Sequence, residues 1–410
     1  MPVEFRSSPP ARSRFAARVN HLRARGRHEH GRVTNVELFF DLVFVFAVTQ
    51  LSHSLLAHLT PLGALQIAML TVAVWWVWIY TAWVTNWLDP ERTAVRLLLF
   101  ALMVVGLVMS ASIPKAFEER AWAFALAYVV SQVGRSAFML WALRNHDQSN
   151  FQNFVRVITW QGAAALFWLA GASAQGQTRL ILWAIALAVD TFAPIVGFYV
   201  PRLGRSSTTD WAVEGAHIAE RCALFVIIAL GESILVTGAT FAGLAWTAEH
   251  IGAFLVAFAG SVAMWVIYFN IGAERGSRHI ASSGDPGQLA RNGYTYLHLL
   301  IIAGIIVAAV GDELVLHHPG GHTDLKTAIV LIGGPALYLL GNMLFKRLSA
   351  PNFPLSHMVG LGLLALLILT VPVLTPLLLS AATTAILILV AAWEQVSLRQ
   401  SPHGKTAAHH

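Results

Sequence analysis

Val33 to Gln50 reads VTNVELFFDLVFVFAVTQ and places two carboxylates, Glu37 and Asp41, at the start of an apolar run long enough to cross a membrane. An acidic side chain inside such a run is costly, so it faces the interior of a helix bundle or a water-filled cavity. Glu37 and Asp41 are four residues apart and therefore share one face of a helix. The stretch predicts a membrane-spanning helix whose acidic face points into the protein.

The rest of the 410-residue chain has the composition of a membrane protein, with 56% hydrophobic and 12% charged residues. Apolar runs of about 20 residues recur along nearly its whole length, which leaves no stretch for a separate soluble domain. We expect an all-α, polytopic transmembrane helical bundle over residues 33–397. Residues 1–32 are expected to form a basic, disordered cytosolic arm without the apolar segment of a signal peptide, and residues 398–410 a cytosolic tail.

Twelve candidate spans follow from the apolar runs, and the charge distribution supports an even number. The chain has 27 Lys and Arg residues. Four lie in loops or at span ends on one side (Lys115, Arg120, Arg179 and Lys326), two lie deep within spans (Arg135 and Arg221), and all the others lie in the termini, in loops or near span ends on the side of the arm. The positive-inside rule then places both termini in the cytosol. The spans are 35–58, 64–87, 94–113, 121–143, 152–172, 179–200, 215–240, 248–271, 293–315, 325–345, 354–372 and 376–396.

The first and seventh spans have similar openings, ELFFDLVFVFAVTQLS from Glu37 and ERCALFVIIALGESIL from Glu220. With six spans in each half, 33–200 and 212–397, the two helices would point the same way. This is the arrangement of a 6+6 parallel internal repeat. Chance similarity between two apolar helices is the alternative.

Other ionisable residues lie at membrane depth and need partners. Arg221 and Glu232 are about 16 Å apart along one helix, too far to pair with each other. Arg221 is suitably placed for Asp41 or Glu37 on the first span. Arg135 and Asp190 both lie near mid-membrane, and we expect them to pair.

Two features suggest bent helices, and one histidine allows two interpretations. Pro194 predicts a kink close to Asp190, and the run Gly333–Pro335 predicts a bend in the tenth span, although ordinary packing explains such residues equally well. His298 is either a neutral buried histidine hydrogen-bonded to a neighbouring helix or a proton-relay group.

Several chemistries lack support in the sequence. No Walker A sequence, GxSxG, HExxH or EF-hand loop is present, which argues against ATP-driven pumping and the familiar hydrolases. The loop histidines His317, His318 and His322 have a spacing of low specificity, so we predict neither a metal site nor a cofactor. Cys222 is expected to be a small buried side chain. The basic residues orient the chain in the bilayer and do not indicate nucleic-acid binding.

Three segments together carry a resemblance to a known family. VELFFDLVFVFAVTQLS in the first span, HIAERCALFVIIALGESIL in the seventh and YTYLHLLIIAGIIVAAVGDE in the ninth resemble the bacterial low temperature requirement A family over about residues 33–395. The resemblance implies a multi-spanning plasma-membrane protein, and it implies no substrate or reaction. The motif positions that it marks are Glu37, Asp41, Glu220, Arg221, Gly231, Glu232 and His298.

Three functional hypotheses remain. The first is a secondary transporter or an ion- or proton-linked pathway for an unknown small solute in the plasma (inner) membrane, because protonatable groups recur at membrane depth. Asp41, Glu232 and His298 would line the pathway. The surrounding charge network would consist of Glu37, Glu220, Arg221, Arg135 and Asp190. The alternatives are a membrane-embedded enzyme acting on lipid, with Glu232 or Asp41 as base and His298 as acid, and a noncatalytic sensor or scaffold whose buried charges hold helices together.

Overall fold

The computed structural model describes residues 20–23, 33–211 and 213–399. Within these ranges the chain forms helices joined by turns and by one longer connection, 193–214, and the only strand-like pairings are isolated bridges. The all-α bundle expected from the sequence is confirmed for this part of the protein. The predicted disorder of the arm and of the tail concerns residues that lie mostly outside these ranges.

Fifteen α-helices follow one another along the described chain. The first seven are α1 (Asn35–Ala57), α2 (Pro61–Trp87), α3 (Thr93–Ser112), α4 (Ala121–Val129), α5 (Arg135–Leu143), α6 (Gln148–Ser173) and α7 (Gly176–Phe192). The others are α8 (Gly215–Ala242), α9 (Ala248–Ile267), α10 (Ala273–Ala281), α11 (Pro286–Leu289), α12 (His298–His317), α13 (Leu325–Leu348), α14 (Leu355–Leu367) and α15 (Pro376–Arg399).

Ten helical segments of the described chain are long and apolar enough to cross a membrane. Three of them are composite, because α4 continues into α5, α9 into α10 and α11 into α12. The other two predicted spans coincide with shorter helices. These are α7, with 17 residues, and α14, which with one 3₁₀ turn covers Leu355–Thr370. The hairpin expected near Pro372 is present as the turn between α14 and α15.

The three composite segments are each interrupted by a π-helical stretch. These stretches are Val130–Gly134, Tyr268–Gly272 and Ala290–Leu297. A π-helical turn shifts the backbone hydrogen-bond register by one residue, and such turns are frequent at functional sites. Buried polar side chains lie beside all three stretches.

Close glycine contacts hold α12 against α13. A Cβ atom on Gly334 would lie 2.6 Å from the backbone nitrogen of Ala308, and one on Gly304 would lie 2.5 Å from that of Tyr338. Helix α13 continues unbroken through Pro335, and Gly334 lies against the backbone of α12, so the Gly-Gly-Pro run serves close packing, while the bend expected there stays a prediction.

Pro194 also acts differently from expectation. Helix α7 ends at Phe192, two residues before this proline. Pro194 therefore follows the end of the helix and does not kink it, because a proline cannot continue the helical hydrogen bonding.

Helices α1 and α8, the first and seventh predicted spans, pack against each other and run parallel. Asp41 of α1 bonds Arg221 of α8, and Thr49, further along α1, bonds Glu232, further along α8. The same order of contacts on both helices requires the same direction. The two motif segments therefore face each other across one helix–helix contact.

Candidate functional site

The centre of the candidate site is a buried group of four ionisable side chains, Glu37 and Asp41 of α1 with His217 and Arg221 of α8, here named the α1–α8 cluster. Arg221 donates from Nη1 to Glu37 Oε1 at 3.1 Å and from Nη2 to Asp41 Oδ1 at 2.5 Å. His217 Nε2 lies 2.9 Å from the same Glu37 oxygen. None of the four is more than 1% exposed. This is the partner choice expected for Arg221 from the sequence.

The first turn of α1 fixes the position of Glu37. Thr34 is the N-cap of the helix, and both its backbone N–H and its hydroxyl donate to Glu37 Oε2 at 2.9 Å. A threonine followed three residues later by a glutamate is the capping-box pattern. The local sequence Thr34–Glu37 therefore orients the carboxylate independently of α8.

Helix α2 closes another side of the cluster through Trp78. Its Nε1–H donates to Asp41 Oδ1 at 2.8 Å, and the guanidinium carbon of Arg221 lies 5.7 Å from the centre of its ring. An arginine over a tryptophan face gains cation–π attraction. Trp78 thus contacts both members of the central ion pair.

Asn86, near the end of α2, sets the tautomer of His217. Its amide nitrogen lies 3.3 Å from His217 Nδ1, and its side chain also bonds the backbone N–H and carbonyl of Glu214, each at 2.8 Å. Because Asn86 donates to Nδ1, the ring proton is on Nε2 and points at Glu37.

A further cation comes from the arm. Arg23 Nη2 donates to Glu37 Oε2 at 2.9 Å, and Arg23 Nε donates to the backbone carbonyls of Thr85 and Leu88 at 2.8 and 3.2 Å. With Arg23 included, two carboxylates face two guanidinium groups and the formal charges balance. The sequence indicated only a topogenic role for the arm, since nothing in its composition separates Arg23 from its other arginines.

Two buried atoms of the central ion pair lack a hydrogen-bond partner within the described chain. Asp41 Oδ2 and Arg221 Nε are buried and have no hydrogen-bond partner within the described part of the chain. A buried carboxylate oxygen without a donor is destabilising. A proton or a hydrogen-bond donor of a solute would therefore stabilise the site most at this oxygen.

Glu232 lies deeper on α8 and faces α1. It is 7% exposed and accepts a hydrogen bond from the Thr49 hydroxyl. Glu220 is different, because it is exposed and accepts a 3.4 Å bond from the backbone N–H of Val33. The structure therefore places Glu220 outside the α1–α8 cluster, in contrast to its predicted place in the charge network.

Arg135 and Asp190 do not form the direct ion pair that we expected. Arg135 bonds the side-chain oxygen of Gln132, Gln132 donates to the Tyr128 hydroxyl at 3.2 Å, and that hydroxyl donates to Asp190 Oδ2 at 2.8 Å. Arg135 also donates to the Thr81 hydroxyl at 3.1 Å. Neutral polar side chains therefore separate the two charges, and the expected direct pairing is wrong.

His298 has both ring nitrogens occupied. Nδ1 lies 2.9 Å from the carbonyl of Gly293 and Nε2 lies 2.8 Å from the hydroxyl of Tyr268. The carbonyl can only accept, so Nδ1 carries the proton and Nε2 accepts from the tyrosine. Of the two interpretations of His298, the geometry favours the neutral buried histidine bonded to a neighbouring helix.

The sequence reasoning missed a second buried charge group, Lys346 of α13 with His357 of α14 and Glu394 of α15, here named the Lys346 cluster. Lys346 Nζ lies 2.7 and 2.9 Å from the two Glu394 oxygens and 2.8 Å from the carbonyl of Ile267, beside the π-helical stretch after α9. His357 is fully buried next to them. Glu394 within the twelfth predicted span was the available signal, because a charge in a span requires a partner.

No group of three or more His, Cys, Asp or Glu side chains that could hold a metal occurs in the residues that the structure describes. Cys222 is fully buried, as expected, and its Sγ faces the carbonyl of Tyr294 at 3.7 Å.

Comparison with known proteins agrees with the resemblance carried by the three motifs. The model of a family described as bacterial low temperature requirement A protein matches residues 32–392. An uncharacterized protein of Rhizobium meliloti (strain 1021), RA0937, is 39% identical over 391 residues, covering 95% of both chains. No solved structure matches the chain.

Proposed function

We propose a transport function for this chain, which belongs to the bacterial low temperature requirement A family and is a multi-pass membrane protein. In this proposal it is a secondary transporter or an ion- or proton-linked pathway for a small solute in the plasma membrane. The observation that carries the proposal is the α1–α8 contact, which holds ionisable groups at two depths. The Asp41–Arg221 pair and the Glu232–Thr49 pair are separated by about 16 Å along α8.

The open oxygen of Asp41 suggests how the site works. A proton or a cationic solute at Asp41 Oδ2 weakens the attraction between Asp41 and Arg221, because it neutralises the carboxylate. Arg221 keeps its bond to Glu37 in that state, so the arginine remains paired while Asp41 changes partner. In a site with alternating access, the buried charges must change partners without any of them being left unpaired.

The parallel direction of α1 and α8 supports a twelve-span topology. Between the start of α1 and the start of α8 the chain must cross the membrane an even number of times. The first half supplies six helical segments only if the short α7 is counted as a crossing, and the second half supplies six if α14 is counted. Both termini are then cytosolic by the charge distribution, and 33–200 and 212–397 are the two halves of the proposed parallel repeat.

The noncatalytic scaffold is the second candidate, and the environment of Glu37 favours it. Glu37 accepts hydrogen bonds from Arg23, Thr34, His217 and Arg221, so this carboxylate is fully satisfied. A group held in this way can serve stability alone. The transport and scaffold hypotheses make different predictions for Asp41 and Glu232, which accept fewer hydrogen bonds than Glu37 does.

The test compares Asp41→Asn and Glu232→Gln with wild type and with Glu274→Gln, a control at a side chain that is 71% exposed. Detergent-purified proteins are first screened by thermal unfolding against ions, amino acids, nucleosides, sugars and lipids at two pH values, because a ligand of the folded state raises its stability. Each stabilising solute is then assayed for uptake into proteoliposomes.

Transport predicts that Asp41→Asn and Glu232→Gln fold normally and lose ligand stabilisation and uptake, while Glu274→Gln retains both. Variants that fold and take up solute like wild type would contradict the assignment of Asp41 and Glu232 to the pathway. Variants that are strongly destabilised, in a protein that no solute stabilises, would favour the scaffold.

A further inference from the structure

Residues 21–23 of the arm form a short strap across the end of α2. Arg23 N–H donates to the carbonyl of Trp87 at 2.8 Å, and Asp89 N–H donates to the carbonyl of His21 at 2.9 Å. Leu22 and Leu88 form an isolated antiparallel bridge between these bonds. The strap delivers one side chain, that of Arg23, to the edge of the α1–α8 cluster.

Arg23 enters a set of oxygen acceptors that belong to the helices, here named the cradle: Glu37 Oε2 and the carbonyl oxygens of Thr85 and Leu88. The two carbonyls lie at the C-terminal end of α2, where helix carbonyls lack helical partners and carry partial negative charge. Glu37 is fully buried and is oriented by its own capping box. The acceptors are therefore fixed by helix ends rather than by the arm.

Among the described residues of the arm, 20–23, Arg23 is the one that supplies charge to the site. Without Arg23 the α1–α8 cluster has two carboxylates and one guanidinium, with His217 holding the neutral tautomer set by Asn86. An uncompensated carboxylate in a fully buried position is strongly destabilising. An empty cradle would thus demand another cation.

The geometry of the cradle indicates the kind of cation. Two different nitrogens of one planar group donate to its acceptors. Nη2 donates to Glu37 Oε2 at 2.9 Å, and Nε donates to the two carbonyl oxygens at 2.8 and 3.2 Å. A guanidinium group presents its N–H donors as such a rigid planar fork, whereas an ammonium is a compact point charge.

We propose that the cradle of Glu37 and the Thr85 and Leu88 carbonyls is a binding site for the guanidinium group of a small organic cation, and that Arg23 occupies it as an intramolecular ligand. The arm and the solute compete for the same acceptors, so the strap closes the cluster when no solute is present. Binding at the cradle stands by itself. Passage of the bound cation across the membrane rests on the proposed transport function.

The binding test uses methylguanidinium as the probe and full-length detergent-purified protein. Arg23→Ala empties the cradle, and Arg92→Ala is the control because Arg92 is a half-exposed arginine on the neighbouring loop that pairs with Asp89. We expect millimolar methylguanidinium to raise the unfolding temperature of Arg23→Ala saturably and to leave wild type and Arg92→Ala unchanged. Tetramethylammonium, which lacks N–H donors, should have no effect, and Glu37→Gln in the Arg23→Ala background should abolish the shift.

A folded Arg23→Ala protein that methylguanidinium does not stabilise would overturn the proposal. If Arg23→Ala yields no folded protein, membranes are solubilised with and without methylguanidinium. Recovery of folded protein only with the probe supports the cradle, and failure to recover it overturns the proposal.

A separate measurement isolates the transport step. Uptake of radiolabelled methylguanidinium is compared between proteoliposomes that contain Arg23→Ala and those that contain wild type. Stabilisation together with faster uptake by Arg23→Ala supports both the cradle and transport. Stabilisation without uptake by either protein keeps the cradle and contradicts transport of this cation.

Discussion

The α1–α8 cluster and the Lys346 cluster are both buried charge groups that include a histidine, but they differ in how completely they are closed. The Lys346 cluster pairs one cation with one anion, and the ammonium also satisfies the carbonyl of Ile267 beside a π-helical stretch. The α1–α8 cluster joins two acids to Arg221 and to Arg23 of the arm, and it leaves Asp41 Oδ2 and Arg221 Nε open within the described chain.

In the proposed function, this difference gives the two groups different roles. A one-to-one pair with no open atoms at its centre has nothing to exchange, so its effect is on helix packing. In the same proposal, a group with two acids for each internal arginine, an oxygen without a hydrogen-bond partner and an arm residue that a solute replaces can change partners without leaving a charge unpaired. The number of charges is thus less informative than the number of unsatisfied atoms among them.

The largest effect should follow removal of the shared cation of the α1–α8 cluster. Within the described chain, Arg221→Gln leaves Asp41 with only the Trp78 donor and removes one partner of Glu37. We therefore expect a loss of about 4–5 kcal/mol, the upper part of the range for a broken buried ion pair. The measurement is the folded yield and the unfolding temperature in detergent. A well-folded Arg221→Gln protein of wild-type stability would show that the cluster is not the centre of this helix contact.

The Lys346 cluster should respond differently to single and double substitution. Lys346→Met leaves the Glu394 carboxylate without its cation. We expect it to lower the free energy of unfolding by about 3 kcal/mol, the lower part of the same range, because both side chains are 9% exposed. Lys346→Met combined with Glu394→Leu removes both charges and should regain most of that stability. The readout is thermal unfolding, with ligand-dependent uptake as the second measurement.

A double variant with normal stability and normal uptake supports a structural role for the Lys346 cluster. The corresponding double change in the other cluster, Asp41→Leu with Arg221→Met, should abolish uptake even where the protein folds. Equal loss of uptake in both double variants would remove the distinction between the clusters.

The sequence predicted the α1–α8 pairing because its determinants are local. Glu37 and Asp41 are spaced to share a helix face, and Arg221 lies in the second turn of the parallel helix α8, at the same depth. Arg135 and Asp190 had matching depth, but depth does not determine which way each side chain points around its helix. Gln132 and Tyr128, both neutral, fill the space between them.

Two buried charges, Lys346 and Arg23, were missed for different physical reasons. Lys346 lies just beyond the predicted end of its span, which indicates a loop charge, whereas the structure has it in the last turn of α13. Arg23 lies in a basic arm whose arginines all carry the same sequence signal. Its role follows from its contact with the end of α2, which is a tertiary contact that the sequence does not indicate.

Glycine substitutions sharpen the comparison at the level of packing. Gly334 of α13 touches the backbone of α12, so Gly334→Ala should destabilise by about 1–3 kcal/mol through overpacking. A Cβ atom added to Gly333 on the same helix, or to Gly231 on α8, would meet no other group of the described chain within 4 Å. Their alanine variants should be neutral or gain up to about 1 kcal/mol from helix propensity. Thermal unfolding of the three variants checks this, and equal effects at Gly334 and Gly231 would contradict a tighter contact around α13.

The smallest effect is expected at Asp324, the N-cap of the helix that carries Lys346. Its side chain accepts from Thr327 N–H at 2.8 Å, and hydrogen bonds from the side chain and the backbone of Thr327 lower the pKa of the exposed carboxyl below its usual value. Asp324→Ala should cost about 1 kcal/mol at neutral pH, a usual value for loss of a helix cap. Because the folded-state pKa is depressed, the contribution is complete above the unfolded-state pKa and is lost as the pH falls through the folded-state value. The stability difference between wild type and Asp324→Ala should therefore be constant near neutral pH and shrink in acid. A difference that persists unchanged below both pKa values would mean that the charge of Asp324 contributes nothing to the cap.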